Sequence, residues 1–166
     1  MKSLKASALS MTSVSVVIKP EYGYVLLVYL TSVLINFWMS SRVYSARKQY
    51  KVEYPAEYLV ELKDNKVNQN NVFNCLQRAH QNFLENYFMV MALLFIAGLK
   101  FPVYSAASGA VWLTGRVLYA IGYGSGVPSR RSWGGVQYLG TLSLLGMSIA
   151  TGLSFLKLVD VTPYEF

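Results

Sequence analysis

Phe73-Asn74-Cys75-Leu76-Gln77-Arg78-Ala79-His80-Gln81-Asn82-Phe83-Leu84-Glu85-Asn86-Tyr87 is the stretch whose reading decides the fold. It sets an arginine, a histidine, a glutamate and several amides at the head of a run that is otherwise apolar as far as Leu99. Arg78, Asn82 and Glu85 are spaced i, i+4, i+7, so a helix carries them on one stripe. A charge near a bilayer centre costs roughly 2.5–3.5 kcal/mol, so such residues face a bundle interior or a polar cavity. The stripe therefore predicts a polar pocket built inside a membrane bundle.

The composition agrees. Of 166 residues, 54% are hydrophobic and 14% charged, whereas a soluble domain carries about a quarter charged. The length suits a single domain. A net charge of +7 reads as basic loops beside anionic headgroups. No basic motif with interleaved aromatics is present, so nucleic acid is not expected as a partner. The single cysteine, Cys75, excludes an intramolecular disulfide and reads as a small buried residue.

Residues 1–19 hold lysines and hydroxyls without an acid or an apolar core, and read as a disordered extension with no cleavage signal. Four apolar segments follow, at about 22–44, 72–99, 103–123 and 133–159, with a short tail at 161–166. The expected fold class is all-α, an integral membrane four-helix bundle. Pro55 interrupts the polar connection Lys51–Asn71, Pro102 the second, and Gly122, Gly124, Gly126 and Pro128 the third. Segment two would span about 42 Å against a hydrocarbon core of about 30 Å, so its polar head reaches into the headgroups. Gly109, Gly115, Gly140, Gly146 and Gly152 suit close helix packing in lipid. Arg42, Arg47, Lys48, Lys51, Lys63, Lys66, Arg130 and Arg131 fall in the two connections on one side. That side is expected to face the cytosol, with both termini opposite.

Counting from Lys100, Glu85 sits on the order of 8 Å inside the hydrocarbon, and the same count from Pro102 puts Arg116 on the order of 10 Å inside. Opposite charges at similar depth predict a Glu85–Arg116 contact, direct or through a ligand. Arg116, Tyr119 and Tyr123 share one helix face, and so do Ser40 and Arg47, seven residues apart. Arginines, a carboxylate, amides and tyrosines suit a small zwitterionic, polyanionic ligand. One histidine and one cysteine give no zinc site. No Ser-His-Asp set, phosphate loop or dinucleotide fingerprint occurs, and His80 reads as a wall residue of the pocket rather than a general base.

SARKQY at 45–50, FNCLQRAHQNFLENY at 73–87 and GRVLYAIGYGSGVPSRR at 115–131 resemble the membrane-associated proteins in eicosanoid and glutathione metabolism. EYGYVLL at 21–27 and YKVEYP at 50–55 bring the chain nearest to the third type of microsomal glutathione transferase within that family. The resemblance covers about residues 20–155. It implies a homotrimer in the membrane of the endoplasmic reticulum or the outer mitochondrial membrane, with glutathione bound between subunits near the cytosolic face. It further implies conjugation of glutathione to hydrophobic electrophiles, reduction of lipid hydroperoxides and, in some members, leukotriene C synthesis. By position, Arg78, Asn82, Glu85, Tyr119 and Tyr123 match glutathione contacts, and Arg47 and His80 match contacts from the adjacent subunit. Arg130 matches the arginine that stabilises the thiolate, with Arg131 as the alternative; Arg116 and Ser40 complete the expected set. A branch of the family binds lipid without catalysis, which leaves a non-catalytic adaptor as the other reading.

Overall fold

The computed structural model describes residues 18–59 and 67–158, the side chains of 67–71 excepted. Four α-helices follow in order: α1 at Tyr22–Gln49, α2 at Val67–Gly98, α3 at Pro102–Tyr123 and α4 at Gln137–Phe155. A 3-10 helix at Pro128–Val136 joins α3 to α4. No strand occurs among the described residues. The expectations for the N-terminal extension, for Lys63 and Lys66 and for the C-terminal tail fall outside the described residues, apart from Ile18 and Lys19.

Each helix buries one narrow stripe. On α1 the buried residues include Val25, Ser32, Met39 and Ala46, every seventh position, which is the seam of near-parallel helix packing. Phe83, Val90, Leu94 and Ala97 form the corresponding seam on α2, and Gln137, Gly140, Leu144, Ser148 and Thr151 that on α4. On α3 the seam runs through Ser105, Gly109, Trp112, Arg116 and Ala120. The helix α3 packs on α1, α2 and α4, and α2 also packs on α1 and α4. Ser105 ties the tight second turn by donating its hydroxyl to the carbonyl of Leu94 at 2.8 Å.

The outward faces are apolar. Leu34 is 68% exposed, Phe88 84% and Leu142 63%. Water would oppose such faces, whereas lipid solvates them. Two stretches, Tyr22–Gln49 and Pro128–Phe155, are long and apolar enough to cross a bilayer by length and composition. In α2 and α3 the polar stripes dilute that apolar character.

Three boundaries differ from the sequence reading. Helix α1 continues five residues past Tyr44 to Gln49, because Ala46, Arg47 and Lys48 are good helix formers and the two cations sit favourably in the last turn. It stops where Lys51 takes a positive φ of 52°. Helix α2 begins at Val67, so its polar head is helical. The segment expected to begin at 133 instead starts as a 3-10 helix with Pro128 in its first turn, and the α-helix begins only at Gln137. The glycines also divide. A Cβ on Gly109 would come within 2.8 Å of Val28, one on Gly115 within 2.6 Å of the Gln137 backbone and one on Gly140 within 2.5 Å of the Ser108 carbonyl. Gly146 and Gly152 have nothing within 4 Å, so the expectation of close packing does not hold for them within the chain.

Candidate functional site

The polar stripe of α2 forms a continuous chain of hydrogen bonds with α3 and α4. Arg78 donates from Nη1 to Glu85 Oε1 at 2.6 Å and from Nη2 to Oε2 at 3.4 Å. Asn82 donates from Nδ2 to Glu85 Oε2 at 3.2 Å. The carbonyl end of the same amide accepts from Arg116 Nη1 at 2.9 Å, and Arg116 Nη1 also donates to Gln137 Oε1 at 2.9 Å. Arg78, Glu85, Asn82, Arg116 and Gln137 thus run from the surface of α2 to the centre of the bundle. Glu85 pairs directly with Arg78 and not with Arg116, which corrects the direct form of the expected contact. The group that joins the two opposite charges is the protein's own Asn82 amide, because helical spacing puts Arg78 and Glu85 within reach along one stripe while Arg116 lies inward of it.

The two ends differ in exposure. The Arg78 and Glu85 side chains are 44% and 51% exposed, at the surface of the bundle. Arg116 is 1% exposed, enclosed by the rings of Phe83, Trp112 and Tyr119 with centroids 5.6, 6.0 and 4.9 Å from its guanidinium carbon. Its Nε and Nη2 have no hydrogen-bond partner among the described residues. Tyr119 and Tyr123 meet edge to face at 5.5 Å, one turn apart on α3.

The 3-10 helix lies directly on α3. A Cβ at Gly122 would sit 2.4 Å from the Arg130 carbonyl, and one at Gly134 would sit 2.5 Å from Tyr119 Cβ. Only hydrogen fits at these two positions, and that closeness brings Arg130 and Arg131 beside the Tyr119–Tyr123 wall. Both arginines are exposed. Arg130 lies over the Trp133 ring at 5.7 Å and reaches the Ser125 hydroxyl at 3.4 Å.

The remaining expected residues stand apart from this chain. Arg47 is buried and donates from Nη1 to the carbonyls of Ala56 at 2.7 Å and Val52 at 3.4 Å. Its guanidinium stacks on Tyr54 at 4.5 Å and Phe73 at 5.1 Å. It therefore pins residues 52–56 over the end of α1. Ser40, on the same face of α1, is exposed and not joined to it. His80 is half-buried, with Nε2 3.0 Å from Asn36 Oδ1 of α1.

Three contributors escaped the sequence reading. Gln137 is the second acceptor for Arg116 Nη1, and its signal was a lone amide at the head of an apolar segment. Asn36 orients His80, and in the sequence it is a single amide inside apolar segment one. Tyr58 had no periodic signal, being in an irregular connection. Its hydroxyl donates to Gln81 Oε1 on the head of α2. Leu59 next to it exchanges two bonds with the Asn74 amide, at 2.9 and 3.0 Å, so residues 52–59 form a strap over the head of α2.

A family model described as "MAPEG family" matches residues 25–153, a span that contains all four helix seams and every member of the hydrogen-bonded chain. The chain belongs to the MAPEG family. MAPEG proteins are helical membrane proteins of eicosanoid and glutathione metabolism, glutathione transferases among them, and glutathione is the co-substrate they use. Membership and the apolar outer faces make this chain an integral membrane protein. The polar chain from Arg78 to Gln137 is then its candidate glutathione site.

Proposed function

We propose that this MAPEG member is a membrane-bound glutathione transferase of the third microsomal type. It conjugates glutathione to hydrophobic electrophiles and reduces lipid hydroperoxides. The observation that carries the reading is the Arg78–Glu85 pair, which is about half exposed at the bundle surface while its other end is anchored through Asn82 on buried Arg116. Glutathione has two carboxylates and an ammonium, and it fits such a pair by exchange. Arg78 turns to a carboxylate, Glu85 to the ammonium, and neither protein charge loses a partner. Asn82, Tyr119 and Tyr123 wall the site, Arg116 holds Asn82 and the charge balance from within, and Ser40 contributes a hydroxyl from α1.

The site is shared in a homotrimer, with Arg47 and His80 reaching the glutathione of the neighbouring subunit. Two half-exposed charges among apolar outward faces support this, because lipid cannot solvate them and a neighbouring protomer can. The basic connections support a cytosol-facing site in the endoplasmic reticulum membrane.

A thiol near pKa 8.5 is mostly protonated at neutral pH, and an adjacent guanidinium favours the thiolate. Arg130, with Arg131 as the alternative, supplies that guanidinium from the rim. In conjugation the thiolate sulfur bonds to the electrophilic carbon and the leaving group departs, or an opened epoxide oxygen takes a proton. In the peroxidase reaction the thiolate attacks the O–O bond, and a second glutathione resolves the product to glutathione disulfide, with alcohol and water released. The apolar substrate arrives sideways from lipid.

The test uses purified protein in lipid, with thiolate absorbance on glutathione titration and turnover on an aryl halide and a lipid hydroperoxide. Arg130→Ala is expected to keep glutathione binding while losing thiolate absorbance and turnover. If only Arg131→Ala does so, the role moves one residue. Full activity in both variants overturns the mechanism, and glutathione binding with no turnover in the native protein makes it a non-catalytic adaptor.

A further inference from the structure

A second cleft lies away from the glutathione chain, between the C-terminal end of α1 and the head of α2. It encloses about 250 Å³ and is lined by Ser41, Arg42, Ser45, Gln49 and Tyr50, over a floor that includes Leu76. No carboxylate lines it. Arg42 is half-buried, anchored by Nη1 on the Ala120 carbonyl at 3.2 Å, with its guanidinium 5.0 Å over the Trp38 ring. The Ser41 hydroxyl donates to the Trp38 carbonyl, leaving its lone pairs outward, and the Ser45 hydroxyl has no partner among the described residues.

The cleft continues into lipid-facing surface. On a helix, Leu27, Leu30, Leu34, Phe37 and Trp38 fall on the same stripe as Ser41 and Ser45. All five are exposed, Leu27 at 60% and Phe37 at 67%. A polar pocket with one fixed cation thus tops an apolar track, with the Trp38 ring under Arg42 at their junction. We infer that this cleft binds an anionic membrane phospholipid, its phosphate against Arg42 and the serine hydroxyls and an acyl chain along Leu34 and Phe37. The headgroup is anionic because the quaternary ammonium of a choline lipid would meet no carboxylate in the lining, while Lys48 and Lys51 add positive charge nearby. The lipid would brace α1 against α2, the contact that carries the strap.

The experiment is native mass spectrometry of the full chain released from micelles doped with equal phosphatidylserine and phosphatidylcholine. One retained phosphatidylserine per chain is expected, about fivefold over phosphatidylcholine, the ratio that a single interfacial cation confers. Arg42→Gln should abolish the preference. Because Arg42 also holds Ala120, Ser45→Leu is the second variant; it fills the cleft from an exposed position and should displace the lipid while glutathione turnover stays native. Equal retention of both lipids, or retention unaffected by Ser45→Leu, overturns the inference. Displacement of phosphatidylserine by inorganic phosphate would make this a soluble-anion site, and displacement by glutathione would make it part of the active site; either result also overturns it.

Discussion

Gly134→Ala tests how the rim of the site is built. A methyl at this position would meet Tyr119 Cβ at 2.5 Å, the Gly115 carbonyl at 2.8 Å and Tyr119 Cα at 3.1 Å. Two of these atoms are backbone and the third is a Cβ, so no side chain can rotate away. Ordinary contact lies at about 3.5–4.0 Å, which requires the 3-10 helix to lift by on the order of 1 Å. Overpacking of this kind costs roughly 1–3 kcal/mol. At about 2–4 °C per kcal/mol for a chain of this size, the melting temperature should fall by several degrees. The lift also moves Arg130 and Arg131, and a 1 Å misplacement reduces turnover by up to about a hundredfold. Gly135, the next residue, has nothing within 4 Å. Gly135→Ala should therefore be neutral or stabilise by about 0.4–1 kcal/mol through the unfolded chain. The assay is thermal melting of purified protein beside glutathione conjugation for both variants. Identical behaviour of the two alanines, or a Gly134→Ala protein with native melting and turnover, would refute the packing of this segment on α3.

Arg116→Met removes the donor shared by Asn82 and Gln137 and leaves buried Gln137 Oε1 unpaired, a loss of roughly 1–3 kcal/mol. Adding Gln137→Leu should recover part of it, whereas a strictly additive double mutant would show that the two side chains do not interact. Asn74→Ala cuts both bonds to Leu59 and should speed tryptic cleavage at Lys51 severalfold; an unchanged rate would mean that the strap is held elsewhere. Glu85→Gln breaks an ion pair that is about half exposed, so solvent screening should leave the melting temperature nearly unchanged. Its KM for glutathione should nonetheless rise tenfold or more, and an unchanged KM would remove Glu85 as the ammonium partner.

Helical periodicity made much of the site readable in one dimension. Arg78, Asn82 and Glu85 share a stripe for any helix that contains them, and so do Arg116, Tyr119 and Tyr123. The membrane class was equally legible, since apolar segments and scarce charge need no tertiary information. The interruption between α3 and α4 was visible as glycines and Pro128. Its conformation was not, because a 3-10 helix and an irregular loop draw on the same residues.

Partner choice belonged to the tertiary structure alone. Depth counting put Glu85 and Arg116 at one level, but depth fixes neither helix rotation nor sideways distance. Rotation and approach are set where backbones touch, as at Gly109, Gly115 and Gly140, and those contacts turn Arg116 toward Asn82 and Gln137 rather than Glu85. The same holds for Arg47: a cation at a helix end reads as a flank, and only the folded strap gives it two carbonyls and two rings. A helix repeats its own geometry, so its faces are written locally. Which face meets which is decided by the closest packing the whole bundle can reach.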